Sequence, residues 1–191
     1  MHYTPNDILS GNEARARVLG GAQVLGKAVG ATMGARGRKA LIEDEFGVKS
    51  TLDGVSVAKR INLENKFEQL GVVLVREAAQ KTNEEAGDGT TTATILTVEL
   101  MEKGHALITA GFNPVLLEQG MVIAKNEILE DLKKKAIPVK DRKDYYDVAY
   151  ISSRDEEIAG IVADVMEKVG KDGVITVERS EGVKTEVEYT D

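Results

Sequence analysis

The chain reads as a mainly α protein with small β elements, and three observations carry that reading. Apolar residues recur at helical spacing through three long stretches, about 65–86, 89–110 and 114–135, with short connections between them. Runs with strand character are brief: 40–42, 50–52, 174–177 and 185–189. Hydrophobic residues make up 42% of the 191 positions but aromatic ones only 4%, and Trp is absent, so aliphatic side chains must build the core.

An earlier helix is expected from Asn12, as cap, to about Val29. Ala14, Val18, Ala22, Leu25 and Ala28 give it one apolar face. Gly20, Gly21 and Gly26 weaken it in isolation, so tertiary packing must hold it. A small-residue turn follows at Gly30-Ala31-Thr32-Met33-Gly34. The basic run Arg36-Gly37-Arg38-Lys39 then leads into Ala40-Leu41-Ile42, with Phe46-Gly47 as the turn of a hairpin returning through Ser50-Thr51-Leu52. A basic run of this kind is more often solvated surface than a phosphate clamp. Asp53-Gly54 reads locally as a turn.

The three long stretches form a bundle layer, each about 30 Å long at about 1.5 Å per residue. Gly111 closes the second, and Asn113-Pro114 opens the third as cap and first helical residue. Lys133-Lys134-Lys135 suits the C-terminal dipole of the third. Beyond Pro138 the character changes. A charged, weakly periodic stretch covers 141–150, and a helix capped by Ser153 covers Asp155–Val169. Strands are expected at Val174-Ile175-Thr176-Val177 and Thr185-Glu186-Val187-Glu188-Tyr189.

Composition excludes several classes. The net charge of −7 argues against a nucleic-acid binder, which ordinarily carries a basic face. With no Cys, neither disulfides nor thiol catalysis is available, in keeping with a cytoplasmic location. The opening Met1-His2-Tyr3-Thr4-Pro5 has neither the basic nor the apolar part of a signal peptide, and no apolar run suits a membrane span. His2 and His105 lack ligand-like spacing, and His105 reads as a helix-surface residue.

The stretch richest in chemistry is Gly87-Asp88-Gly89-Thr90-Thr91-Thr92, set where one long helix ends and the next begins. Free N–H groups and the positive end of the helix dipole meet there, as in an anion site. Glycines let an oxygen-rich ligand approach the backbone, and Asp88 adds a hard oxygen suited to Mg²⁺. For an isolated Gly-Asp-Gly ordinary capping is the commoner explanation, though three consecutive threonines exceed what a cap needs.

Taken in order, Thr32-Met33-Gly34, Gly37-Arg38, Asp53-Gly54-Val55-Ser56-Val57-Ala58, Gly87 to Thr92, and Gly170-Lys171-Asp172-Gly173-Val174-Ile175-Thr176-Val177-Glu178 closely resemble the group I (GroEL-type) chaperonins. The resemblance spans the chain and about the first third of such a protein. It implies the first half of a chaperonin-like equatorial, ATP-binding domain over 1–136 and the start of an α/β intermediate, hinge domain over 137–191. The apical domain would lie beyond. ATP and Mg²⁺ are the implied cofactors, with K⁺ as a further cation. The implied partners are unfolded client proteins, a co-chaperonin and further copies in a homo-oligomeric ring, without nucleic acid or membrane. By the same resemblance, Asp88 would hold the metal while Gly89, Thr90, Thr91 and Thr92 bind phosphate oxygens. Thr32, Met33, Gly34 and Ala35 would border the nucleotide. Asp53-Gly54 would reach the phosphate end, Asp53 acting in catalysis. Two positions depart from the family pattern: Ala35 replaces a usual Pro, and Leu52 a usual Lys, leaving Lys49 as the nearest cation. The family's water-activating aspartate and much of its adenine pocket would come from sequence beyond this chain. The alternative is a non-catalytic binding or interaction module that keeps the chaperonin fold.

Overall fold

A computed structural model describes residues 8–44, 47–51, 53–170, 173–178 and 187–189. Among them are seven helices and one antiparallel hairpin. The chain divides into two compact units, Met1–Lys125 and Asn126–Asp191.

The first unit is organised on α1 (Gly11–Gly30), α3 (Lys66–Ala86) and α4 (Thr90–Thr109), which pack against one another. Ala22, Leu25 and Val29 of α1 meet Val72 and Val75 of α3 and Val98 of α4. The short helix α2 (Gly54–Arg60) adds Val57 and Ala58. The glycines that weaken α1 as an isolated helix are explained by these crossings. A Cβ on Gly21 would run into the carbonyl of Glu68, and one on Gly71 of α3 would run into the carbonyl of Val18. The two helices therefore touch main chain to main chain, which only a residue without a Cβ allows. Gly26 leaves room for the Val98 side chain in the same way.

β1 (Ala40–Asp44) and β2 (Gly47–Thr51) pair antiparallel, with Ala40 opposite Thr51 and Ile42 opposite Lys49. Ala40 and Ile42 lean on the core, whereas Leu41 and Val48 are exposed. Leu52 lies outside the described residues. After α2, the Arg76 side chain of α3 ties down the connection, its guanidinium donating to the carbonyls of Ala58 (3.1 Å) and Ile61.

α3 and α4 match the expected stretches closely. Asn65 caps α3 through the N–H groups of Phe67 and Glu68, and Asn113 receives the N–H of Val115 before α5 (Pro114–Lys135). The start of α1 differs from expectation. Ser10 holds the cap position, and Asn12 Oδ1 instead accepts from Arg15 (2.5 Å). No residue of α5 is buried; Leu116, Ile123, Ile128 and Leu132 all stand in solvent. Within the first unit, an apolar groove of about 680 Å³ lies between α1, α4 and the beginning of α5. His105 lines it, half-buried, with a buried Nδ1 that has no partner, so it is not the plain surface residue expected.

The second unit contains α6 (Arg142–Ser153) and α7 (Glu156–Val169), packed on each other. α6 occupies the stretch whose periodicity was weak, because no residue of it is buried. Asp141 caps it through the N–H of Asp144. Ala159 and Ala163 form the buried stripe of α7, and Arg142 Nε bonds Asp164 Oδ1 (2.5 Å). Asp155, not Ser153, caps α7, accepting from the N–H of Ile158; Ser153 ends α6 and donates to the carbonyl of Ala149. Two strands expected here are corrected in part. Residues 173–178 are described and form no strand, and neither do 187–189; Thr185 and Glu186 lie outside the described residues. A β-branched run is a strand only when a neighbouring strand takes its backbone groups. Among the described residues no helix is long and apolar enough to cross a membrane.

Candidate functional site

The Gly87–Thr92 segment forms a sharp reversal between α3 and α4. Gly87 adopts φ 70° and Gly89 φ 80°, left-handed conformations on both sides of Asp88 that a side chain would strain. Gly87 closes α3 by donating its N–H to the carbonyl of Asn83 (2.9 Å). Asp88 is exposed, and its Oδ1 accepts the N–H of Gly89 (2.6 Å). Gly89 is the cap residue of α4, and its carbonyl accepts the N–H of Ala93 (2.9 Å). The N–H groups of Thr90, Thr91 and Thr92 therefore have no acceptor within the helix, and no side chain caps them. Despite three candidate hydroxyls, the helix start is left open. Thr90 is buried, Thr91 half-buried and Thr92 exposed.

The second Asp-Gly is built differently. Asp53 caps α2, Oδ1 accepting from the N–H of Val55 (3.2 Å) and Oδ2 from the N–H (3.0 Å) and hydroxyl (2.5 Å) of Ser56. Its own N–H donates to Thr51 Oγ1 (3.0 Å), which ties the cap to the hairpin. Burial alone would raise the carboxyl's pKa. The Ser56 hydroxyl, the two N–H groups and the charge of Lys59 outweigh it, and Asp53 sits below the ordinary aspartate value.

These two segments meet. A Cβ on Gly54 would collide with Thr91 Oγ1 on one side and come within 3.0 Å of Val29 Cγ1 on the other. Gly54 is thus the wedge-shaped gap into which the start of α4 and the end of α1 fit. The turn after α1 continues from there. Thr32 is buried and donates its hydroxyl to the carbonyl of Val29 (2.7 Å), and Met33 donates its N–H to Gly30 (3.1 Å). Gly34 has φ 78° and, with Met33 and Ala35, stands exposed on the same turn.

The structure therefore brings Gly54, Thr91, Val29 and Thr32 into one junction of three chain segments. Val29, Thr51 and Ser56 were not among the expected site residues. Ser56 had a local signal, a hydroxyl at the third helical position after an Asp cap; Val29 had none. Among the described residues no group of three or more His, Asp or Glu side chains could hold a metal by itself. Mg²⁺ does not require one, since it is commonly held by one or two carboxylates together with phosphates and water. The donor set of Asp88, three open N–H groups and threonine hydroxyls fits a metal–phosphate ligand in that manner.

Compared with known protein families, residues 25–188 match the TCP-1/cpn60 chaperonin family. The chain belongs to that family. Its mainly helical fold with a small two-stranded sheet agrees with a chaperonin equatorial-type domain. Membership carries a chaperonin-type role in protein folding, with client proteins and oligomeric assembly as its general setting.

Proposed function

We propose that this chain binds Mg–ATP at the start of α4 and so forms the nucleotide-binding part of an ATP-driven chaperonin ring. The observation that carries the reading is the junction at Gly54, where the uncapped start of α4 lies against the Asp53 cap of α2. In this reading the N–H groups and hydroxyls of Thr90, Thr91 and Thr92 hold phosphate oxygens, and Asp88 holds the metal. Bound Mg²⁺ would neutralise charge on the phosphates. Thr32, Met33, Gly34 and Ala35 border the nucleotide. Asp53, held ionised and fixed by α2, orients a water or cation at the phosphate end. Residues 1–136 act as the equatorial portion and 137–191 as the beginning of the hinge, in a cytoplasmic ring that folds client proteins with a co-chaperonin.

Asp88→Ala in the assembled protein tests the reading directly. Mg–ATP affinity is expected to fall about a hundredfold and hydrolysis to reach background, as when a preorganised electrostatic group is removed. Unchanged steady-state hydrolysis would overturn the assignment, and would favour an interaction module that keeps the fold without the chemistry.

A further inference from the structure

Any site that takes a polyphosphate needs compensating positive charge, and the sequence on either side of the open helix start is rich in carboxylates. Glu84, Glu85 and Asp88 surround the end of α3, and Asp53 adds a fourth carboxylate. The sequence of α4 supplies no cation until Lys103. We propose that the segment Arg36-Gly37-Arg38-Lys39 is the cationic side of this site, its two arginines closing on the nucleotide phosphates. The inference rests on the nucleotide reading above.

Three observations support it. First, the segment is fastened to the junction. Gly37 donates its N–H to the carbonyl of Gly34 (2.9 Å), and Arg38 donates its N–H to the carbonyl of Ala31 (2.9 Å). Gly37 also lies so close to the carbonyl of Thr32 that a Cβ there would collide with it. Arg36 and Arg38 thus leave the main chain on either side of a point pressed against the buried Thr32. Second, the arginines are uncommitted. Both are exposed, and among the described residues neither guanidinium has a hydrogen bond or an ion pair. Third, the other nearby cations are occupied or remote. Arg76 is held by backbone carbonyls, Lys81 pairs with Glu85, Lys49 of the hairpin is itself engaged, Arg60 lies at the far end of α2 from Asp53, and Lys59, one residue earlier, lends its charge to Asp53. A guanidinium suits this task because its planar fork matches phosphate oxygens.

The test measures Mg–ATP binding to the assembled protein by calorimetry at low and high salt. It compares the parent, an Arg36→Gln/Arg38→Gln variant, an Arg36→Lys/Arg38→Lys variant and Asp88→Ala. The glutamine pair is expected to lose about tenfold in affinity at low salt, as for lost charge-assisted bonds, and less at high salt. The lysine pair should keep most of the binding, with thermal midpoints of all four confirming the fold. If the glutamine pair binds like the parent while Asp88→Ala does not, the clamp is overturned and the nucleotide site stands. If neither set of changes alters binding, both are overturned. A loss that is equal in both pairs, or independent of salt, would assign the segment a purely structural role and overturn the clamp.

Discussion

The starts of α2 and α4 lie against each other at Gly54 and Thr91, yet they are finished in opposite ways. At α2 a carboxylate folds back on its own helix. Asp53 spends both oxygens on the N–H groups of Val55 and Ser56, and a hydroxyl reinforces the bond. At α4 the carboxylate just before the helix bonds only the adjacent N–H of Gly89, and the following N–H groups are left open. Sequence alone makes the two look alike, since each is an Asp-Gly ahead of a helix. The difference is that Asp53 sits at the cap position itself, whereas Asp88 is one residue early and Gly89 takes the cap. A closed helix start contributes stability; an open one is available to a ligand.

The largest effect expected from breaking this contrast is at the open end. Asp88→Ala should abolish Mg–ATP turnover while leaving the thermal midpoint nearly unchanged, because Asp88 is exposed and its bond is to the neighbouring residue. Next comes the junction. Gly54→Ala places a methyl group against Thr91 and Val29, an overpacking expected to cost about 2 kcal/mol in urea unfolding. Thr91→Ala in the same chain should recover part of that loss, and strict additivity of the two changes would argue against the contact.

The closed end should give a smaller, separable result. Asp53→Ala removes a cap and should cost about 1 kcal/mol, whereas Asp53→Asn keeps an acceptor and should cost a few tenths. If Asp53 also serves hydrolysis, Asp53→Asn slows single-turnover hydrolysis more than it weakens nucleotide binding; equal losses would leave it a cap only. The smallest effect is in pH. Asp53 titrates below the ordinary value of 3.8, so its charged form stabilises the fold. That contribution is present above the unfolded value and disappears as pH falls through the lowered folded one. The midpoint difference between the parent and Asp53→Asn should therefore hold steady above about pH 5 and vanish in strong acid. A difference that grows on acidification would contradict the hydrogen-bond assignment.

Much of this arrangement was legible in the residues. The long apolar series place α3, α4 and α5 within a residue or so of their ends, because each repeats its pattern over several turns. Segments with fewer repeats were harder. Residues Gly54–Arg60 span too few turns to show a period, so the sequence shows a turn at Asp53-Gly54 and not the helix after it, although Asp53 and Ser56 are the two halves of its cap. α6 buries none of its residues, which removes the apolar stripe that would announce it. Val174–Val177 has strand composition but no strand partner among the described residues. The Gly87–Thr92 loop was marked by its own chemistry. Its meeting with Gly54 was not, since that contact spans distant parts of the chain and is made by the absence of a side chain.

α5 has a consequence for handling the protein. Most of its leucines and isoleucines stand in solvent along the helix, with Leu116 65% and Ile123 61% exposed. Apolar surface in contact with water is unfavourable, so solvent composition governs how strongly these faces associate. Sulfate and phosphate salts, which are excluded from protein surfaces, would press such faces together, and dilute urea would relax them. Colloidal behaviour would then follow buffer composition well before the fold itself responds.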